Sequence, residues 1–281
     1  LRICREVVSH LNWSKKGPEP KIESSEPEYQ SEELLGILSE DLKSAVDIKE
    51  IIARFVDGSR FEEFKPLYGS SLVCGWASVH GYQIGIIGNN GPIYPESAEK
   101  GASFIQLCNK RDIPLVFLHN VTGFLVGKDF ERQGIIKKGS QLINAVSNSM
   151  VPHITFIVGA SYGAGTYAMS GKAFNNRFTF LWPTAKIAVM GPEQMAGVMS
   201  IVREAKAKRD GKKFDKKADE QLKAMVIDYL EKLSHGLVAS SMMTDDGIID
   251  PRDTRDVIGF CLSIVSNNVI EGASEYGVFR L

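Results

Sequence analysis

Short apolar runs separated by turn residues predict several buried strands in this chain. Runs at residues 71–79 and 82–87 flank a His-Gly pair, which predicts a β-hairpin. Two further runs, at residues 113–118 and 154–158, are short and continuously apolar, as is typical of strands that are buried on both faces. The hydrophobic pattern therefore predicts a sheet whose inner strands are covered on both sides.

Segments with helical spacing lie between these strands. We expect a helix that Ser97 caps and that ends near Lys110, and a second helix over residues 129–149. Their predicted inward-facing residues are Phe104, Ile105, Cys108, Ile135, Ile136, Leu142, Ile143 and Val146. Shorter elements are predicted at residues 166–170, 177–181 and 187–189. The alternation indicates an α/β fold with ligand sites at the carboxyl ends of its strands.

The amino-terminal part has a different pattern. Residues 1–13 have the spacing of a helix end, and residues 14–31 are rich in Pro, Glu and Ser, which indicates a linker. Amphipathic helices are predicted at residues 32–38 and 48–56. Because the chain begins at Leu1 without a Met or a signal-peptide pattern, we expect it to be a piece of something longer.

Charged residues are concentrated toward the carboxyl terminus. A long charged helix is expected over residues 202–232, with a break at Gly211, followed by an apolar helix over residues 252–265. Acidic residues are interleaved with its lysines, so a solvated face is the default interpretation. The net charge of −1 argues against a nucleic-acid-binding surface or a basic membrane surface. No apolar run reaches the roughly 18 residues that span a bilayer.

Cysteine and acidic residues give no metal or disulfide pattern. The four cysteines lie far apart without C-x-x-C spacing, which favours a reducing compartment; they are Cys4, Cys74, Cys108 and Cys261. Asp245, Asp246 and Asp250 lack further ligands at metal spacing, so we expect a turn there and no metal site. Neither a P-loop nor a dinucleotide fingerprint is found, so ATP and NAD chemistry are not indicated.

Two of the predicted strands end in glycine-bearing segments. Residues 120–124 follow the first of them, and residues 159–165 follow the second. Gly and Ala at such turns let backbone N–H groups approach a ligand, and two convergent N–H groups can hold a developing oxyanion. Close packing of a helix on a strand explains a single segment of this kind equally well. The presence of two favours a site.

The second segment also matches a hydrolase motif. Residues 159–163 read G-x-S-x-G, the nucleophile elbow of α/β hydrolases, with Ser161 as the nucleophile. A hydrolase then needs an acid and a histidine later in the chain. The only later histidine is His235, and the acids between lie mostly in the charged stretch. A serine hydrolase therefore stays the less favoured alternative.

Many separated blocks resemble the carboxyltransferase (β) subunits of methylcrotonoyl-CoA carboxylases. They are residues 56–61, 88–91, 96–101, 106–108, 120–127, 161–165, 189–194 and 245–251. The resemblance covers nearly the whole chain but only the carboxy-terminal half of such a subunit, and it is weakest at residues 229–243. It implies that residues 1–70 are a helical extension and linker from an amino-terminal domain. Residues 71–281 are then the carboxy-terminal carboxyltransferase domain.

The resemblance also implies a fold and an activity. The fold is crotonase-like (ClpP/crotonase), an α/β spiral of ββα units with helical extensions. The enzymes are ligases that form C–C bonds in leucine degradation. They move a carboxyl group from N1 of carboxybiotin to the γ-carbon of a 3-methylcrotonoyl-type CoA thioester. The negative charge that builds up on the ureido oxygen needs backbone N–H donors, each worth about 3–4 kcal/mol of barrier. A side-chain base is not required.

In the family, the carboxy-terminal domain supplies the donors on the biotin side. Carried over to this sequence, the catalytic donors are the N–H groups of Ala164 and Gly165, and Gly163 permits the turn. The residues implied to line the biotin pocket are Tyr162, Gly163, Gly123 and Phe124. Tyr162 and Phe124 form its apolar walls in this interpretation, although a core position explains either of them equally well.

The partners follow from the same resemblance. Biotin is expected on a biotin carboxylase/biotin carrier α subunit, and the acyl-CoA site on the amino-terminal domain of a second subunit. We expect a homo-oligomer, in the mitochondrial matrix of a eukaryote or the cytoplasm of a bacterium, and a nearly inactive chain in isolation. Two alternatives besides the hydrolase stay open: a carboxyltransferase or decarboxylase for another enoyl- or acyl-CoA, and a non-catalytic assembly partner.

Overall fold

The computed structural model describes residues 1–38, 46–174 and 176–277 of the chain, so the last residues of the domain predicted over 71–281 lie outside it. Within these ranges, seven strands form one mixed sheet in the order β1-β2-β3-β4-β5-β6, with β7 beside the end of β5. The strands are β1 Glu62–Glu63, β2 Leu72–Val79, β3 Tyr82–Asn89, β4 Leu115–Val121, β5 His153–Tyr162, β6 Phe178–Leu181 and β7 Lys186–Ala188.

Helices precede, connect and follow these strands. They are α1 Arg2–Ser9, α2 Leu34–Ile37, α3 Ile48–Ala53, α4 Pro95–Asn109, α5 Lys128–Arg132, α6 Ile135–Ser147, α7 Ala164–Ala168, α8 Pro192–Arg209, α9 Lys216–Ser234, α10 Gly236–Ser241 and α11 Thr254–Val265. Helices α4 and α6 pack against each other and contribute to the main hydrophobic core. The predicted α/β alternation is confirmed.

The β2–β3 hairpin forms as predicted. Its two turn residues, His80 and Gly81, have φ values of 49° and 78°. Positive φ at both central positions matches a type I′ turn, whose twist suits antiparallel strands. Strands β1 to β3 pair antiparallel, whereas β3 to β6 are parallel. Every residue of β5 is buried, as expected for a central strand covered on both faces.

The helices differ from prediction at two places. Ser97 does not cap α4, because the helix already begins at Pro95, and its buried hydroxyl bonds Ser71 Oγ at 2.7 Å. The helix expected over residues 129–149 is two helices, since Gly134 has a φ of 86° and interrupts it. Ile136, predicted to face inward, is 73% exposed, whereas its neighbour Ile135 is buried.

The amino-terminal linker lies against the domain without regular structure: the Lys16 N–H donates to the Asn267 carbonyl at 3.0 Å and the Lys21 N–H to the Gly81 carbonyl at 3.2 Å. Helix α1 has no buried residue, and no helix or strand lies between residues 10 and 30 of the described chain. Helix α3, in contrast, buries Ile48, Ile51 and Ile52 in the main hydrophobic core, and β1 extends the sheet. The predicted division at residue 70 stays a prediction, and the packing is continuous across it.

The charged carboxy-terminal stretch is a helical hairpin. Helices α8 and α9 pack against each other and are separated at Gly211, as predicted. Arg203 joins them through Asp219, with 2.6 Å between its Nη2 and Oδ1. Among the described helices, none combines the length and apolarity needed to cross a bilayer.

Candidate active site

The site is built on a bulge between β4 and β5. His119 lies opposite Ile157, yet Val121 lies opposite Ser161, so β5 contains two more residues than β4 in this interval. The Asn120 carboxamide fills the bulge and accepts a hydrogen bond from the Ala160 N–H at 3.3 Å. Residues 159–162, predicted as a loop, therefore belong to a bulged strand. Bulges of this kind re-aim the following residues.

A sharp turn at Gly163 follows the bulge. Gly163 has φ 55° and ψ −135°, a backbone conformation that side chains disfavour, and its N–H donates to the Ala188 carbonyl at 3.0 Å. A Cβ atom here would lie 2.9 Å from the Val189 carbonyl oxygen. Glycine is thus required on two grounds, and α7 begins directly after it at Ala164.

The two predicted donors carry unpaired N–H groups. Within the described residues, the amides of Ala164 and Gly165 have no hydrogen-bond acceptor in the protein, whereas the flanking amides of Gly163 and Thr166 are both bonded. Ala164 is exposed and Gly165 is buried. The arrangement leaves two neighbouring donors available for a ligand.

The two glycine segments meet in space, as their pairing in the sequence suggested. A Cβ atom on Gly165 would lie 3.2 Å from the Gly123 Cα and 2.8 Å from the Val121 Cγ2. Gly123, with a φ of 126°, accepts a hydrogen bond from the Ile93 N–H at 2.9 Å. Close approach of the two backbones explains the small residues on both sides.

An apolar cavity of about 410 Å³ adjoins the first of these donors. Ala164 lines it together with Phe124, Leu125, Val126, Ile135, Ile136 and Ile143, and Glu131 is the one charged residue of its lining among the described residues. The exposed position of Ile136 is explained by its place in this lining. An apolar wall beside two N–H donors suits a ligand with a hydrophobic ring and a single carbonyl-type oxygen.

Tyr162 lies elsewhere. It lines a separate cleft of about 880 Å³ with Thr122, Lys186, Glu231 and His235. Burial, reinforced by the Glu231 charge, raises the pKa of Tyr162 to about 12, so its phenol stays neutral. The structure therefore separates the two predicted walls: Phe124 borders the cavity of Ala164, and Tyr162 borders the charged cleft.

The serine of the hydrolase motif is not available as a nucleophile. Ser161 has no exposed surface, and its hydroxyl lies 2.9 Å from His119 Nδ1 and 2.9 Å from Thr166 Oγ1. The second ring nitrogen of His119 bonds the Met169 carbonyl at 2.6 Å. In the Ser-His-Asp triad of a hydrolase, the second ring nitrogen of the histidine bonds a carboxylate instead. His235, the histidine considered from the sequence, instead caps α10 in the charged cleft.

Sequence reasoning missed His119 because it considered only histidines after the serine. The detectable signal was positional: His119 directly precedes one glycine segment, and neighbouring parallel strands bring such positions together.

As for metals, no group of three or more His, Cys, Asp or Glu side chains suited to an ion occurs in the described part of the chain.

The chain is similar in sequence to known proteins. The carboxyl transferase domain family matches residues 1–276. The chain belongs to the carboxyl transferase family. Over its full length it is 54% identical to the probable biotin-dependent acyl-coenzyme A carboxylase beta2 subunit of Mycobacterium tuberculosis, of which it covers 53%. It is 48% identical to the mitochondrial methylcrotonoyl-CoA carboxylase beta chain of Dictyostelium discoideum, of which it covers 48%.

The fold of this carboxyl transferase chain agrees with solved relatives. It superposes on the beta subunit of geranyl-CoA carboxylase from P. aeruginosa with a TM-score of 0.87 at 44% identity, covering 97% of this chain and 52% of that one. The chain thus spans about half the length of the relatives it matches. The resemblance stated from the sequence is confirmed, as are the crotonase-like α/β fold and the carboxylase-type enzyme family.

Proposed function

We propose that this chain is the biotin-handling half of the carboxyltransferase site in a biotin-dependent acyl-CoA carboxylase. The observation that carries the proposal is the pair of unpaired amides at Ala164 and Gly165 beside an apolar cavity. The family and the names of its relatives point to the same chemistry.

The residues present suit a bound biotin head group. When bound, carboxybiotin would supply the carboxyl group. The amides of Ala164 and Gly165 would hold its ureido oxygen, and Gly163 fixes the turn that aims them. Gly123, in the adjoining loop, packs closely against Gly165, and Phe124 lines the apolar cavity and would shield the ring from water. Donors in a water-poor site stabilise developing charge more strongly than donors in water do. Tyr162 contributes to the neighbouring cleft instead.

The acyl acceptor in our proposal is 3-methylcrotonoyl-CoA. Three relatives named methylcrotonoyl-CoA carboxylase beta chains are 46% to 48% identical to this chain. The similarity to a geranyl-CoA carboxylase subunit makes a longer branched enoyl-CoA the second candidate. Carboxylation rates with a panel of acyl-CoA thioesters of increasing length distinguish the two.

The assembly completes the proposal. Biotin arrives on a biotin carboxylase/biotin carrier α subunit, and the amino-terminal domain of a second subunit provides the CoA thioester site. The enzyme is then a homo-oligomer, mitochondrial in a eukaryote and cytoplasmic in a bacterium. This chain by itself transfers almost no carboxyl group to an acyl-CoA. Rapid transfer by the isolated chain would contradict this division of labour.

Ala164→Pro in the assembled carboxylase tests the donor pair. Ala164 is the first residue of α7, a position at which proline fits a helix. The substitution therefore removes one N–H and should leave the helix intact. We expect kcat for carboxyl transfer to fall about 10²- to 10³-fold, the usual effect of one lost oxyanion donor, with little change in KM for the acyl-CoA.

Ala164→Gly is the matched control, because it keeps the N–H. It should retain most of the activity. Equal turnover by the proline and glycine variants would refute the donor assignment and would favour a non-catalytic assembly role. Inactivation of the wild-type enzyme by a fluorophosphonate at Ser161 would instead revive the hydrolase alternative.

A further inference from the structure

A buried histidine, His119, bonds the residues on either side of the loop 163–165, which carries the two donor amides. We propose that His119 is a positioning residue that fixes the loop of residues 163–165 by linking Ser161, near the end of β5, to Thr166 within α7 and to its C-cap residue Met169. The inference rests on the proposed function, because it concerns the geometry of the Ala164 and Gly165 amides. His119 itself has no exposed surface and reaches no ligand.

The direction of each hydrogen bond follows from the partners. The Met169 carbonyl can only accept, so the His119 Nε2 at 2.6 Å carries the proton. In the neutral ring Nδ1 is then an acceptor, and the Ser161 hydroxyl donates a hydrogen bond to it at 2.9 Å. The Ser161 oxygen in turn accepts from the Thr166 hydroxyl, also at 2.9 Å. One neutral imidazole thus orders a chain of three hydrogen bonds.

These contacts enclose the donor amides on both sides. Ser161 lies before the turn, Thr166 directly follows Gly165, and Met169 caps α7 at its far end. Helix α7 has only five residues, too few to be stable without tertiary contacts. Because the Ala164 and Gly165 amides bond nothing in the described protein, the loop has fewer backbone bonds to hold it, and the side-chain contacts supplement the bond from the Gly163 N–H to the Ala188 carbonyl.

The imidazole is neutral at working pH. Burial, opposed by the bond to the Met169 carbonyl, lowers the pKa of His119 to about 4. Its protonation state, tautomer and partners are therefore fixed together. A group that is held in one state by burial is suited to orienting a loop and unsuited to exchanging protons with substrate.

The chain contains a matched control in the neighbouring strand. His153 opens β5, is likewise buried, and has a pKa lowered by burial to about 4. Its ring nitrogens bond the hydroxyls of Ser170 and Ser149, at 2.8 and 2.7 Å. It touches neither Ser161 nor Thr166, so its loss removes equivalent bonds without touching the start of α7.

The test compares His119→Phe with His153→Phe in the assembled carboxylase. Both variants lose the two hydrogen bonds of a buried imidazole, and we expect similar decreases in the thermal unfolding midpoint. Only His119→Phe should lower kcat, by about 10- to 100-fold, as expected when donors move by about 1 Å, while KM for the acyl-CoA stays unchanged. His119→Gln, whose amide can still donate to the Met169 carbonyl, should restore much of this loss.

Two outcomes overturn the inference. One is an equal kcat for the two phenylalanine variants, and the other is a His119→Gln enzyme as impaired as His119→Phe with wild-type stability. Failure of the donor assignment itself is recognised separately. In that case Ala164→Pro retains activity, whereas failure of the His119 inference alone leaves Ala164→Pro inactive.

Discussion

The loops at the carboxyl ends of β4 and β5, residues 122–125 and 163–165, are held in place by different means. The first loop is fixed by its own backbone: Gly123 accepts from the Ile93 N–H, and the Leu125 N–H donates to the Ile93 carbonyl at 3.1 Å. The second loop, residues 163–165, has a backbone bond from the Gly163 N–H to the Ala188 carbonyl, but side chains hold the chain on either side of its free amides. The Asn120 carboxamide accepts from the Ala160 N–H, and His119 bonds the Ser161 hydroxyl and the Met169 carbonyl.

The difference shows how a main-chain binding site is built. Backbone N–H groups that already bond the protein cannot also bind a ligand, so a loop that keeps them free must be anchored by something else. In this chain the anchors are buried polar side chains. The second loop should therefore respond to acid and to small substitutions that the first loop tolerates.

The largest expected effect is acid destabilisation. His119 and His153 have pKa values lowered by burial from 6.5 to about 4. Between those values the unfolded chain binds more protons than the folded one, so the free energy of unfolding falls as the pH falls from 6.5 to 4 and is unaffected by these groups above pH 7. The loss is about 3 kcal/mol for each histidine.

Urea unfolding at a series of pH values measures this loss. His119→Phe removes one titrating group, so the slope of stability against pH should decrease by about one proton in that window. An unchanged slope would show that the His119 imidazole is not buried as a neutral group. The first loop contains no histidine and should contribute nothing to the slope.

Gly163→Ala comes next in size. A residue with a side chain is strained at φ 55° and ψ −135°, and its Cβ would lie too close to the Val189 carbonyl. We therefore expect the free energy of unfolding to fall by about 1–3 kcal/mol. Carboxyl transfer should be lost as well. Gly197→Ala in α8 is the matched control, since a Cβ there meets nothing within 4 Å. It should stabilise the protein by about 0.5–1 kcal/mol. Chemical denaturation of both variants checks the opposite signs.

The smallest effect is expected in the first loop. Phe124→Ala removes a wall of the apolar cavity but leaves the backbone bonds to Ile93 intact. We expect the free energy of unfolding to fall by only about 1 kcal/mol, with a several-fold higher KM for free biotin used as the carboxyl acceptor. A collapse of kcat as deep as that of Ala164→Pro would place the first loop among the donors as well.

Sequence reasoning succeeded where local pattern decides the structure. The hairpin around His80 and the buried strand preceding Ser161 follow from residue type and spacing, and both are observed. It failed where tertiary geometry decides. Gly134 has a left-handed conformation and divides a segment whose hydrophobic spacing is continuous, so the spacing predicted one helix where there are two. Ile136 lines a cavity, and the hydrophobic periodicity does not indicate that cavity.

The donor pair was accessible from the sequence only through resemblance, because backbone amides have no side-chain signature. The pattern of Gly and Ala marked the place, but the unpaired state of the Ala164 and Gly165 amides depends on where neighbouring carbonyls lie. The contact between His119 and Ser161 was not predicted for a related reason. It joins two neighbouring strands at a bulge, and hydrophobic spacing does not indicate a bulge.

The bulge between Ile157 and Ser161 has a consequence for natural and engineered variation. Neighbouring side chains along a strand point to opposite faces, so deleting one residue from this interval would rotate everything downstream to the other face. Ser161 would then leave its imidazole partner, and both amides would turn away from the cavity. Diversity in this stretch should therefore arise through exchange of residue types at constant length, and libraries built on this scaffold should exclude insertions and deletions there.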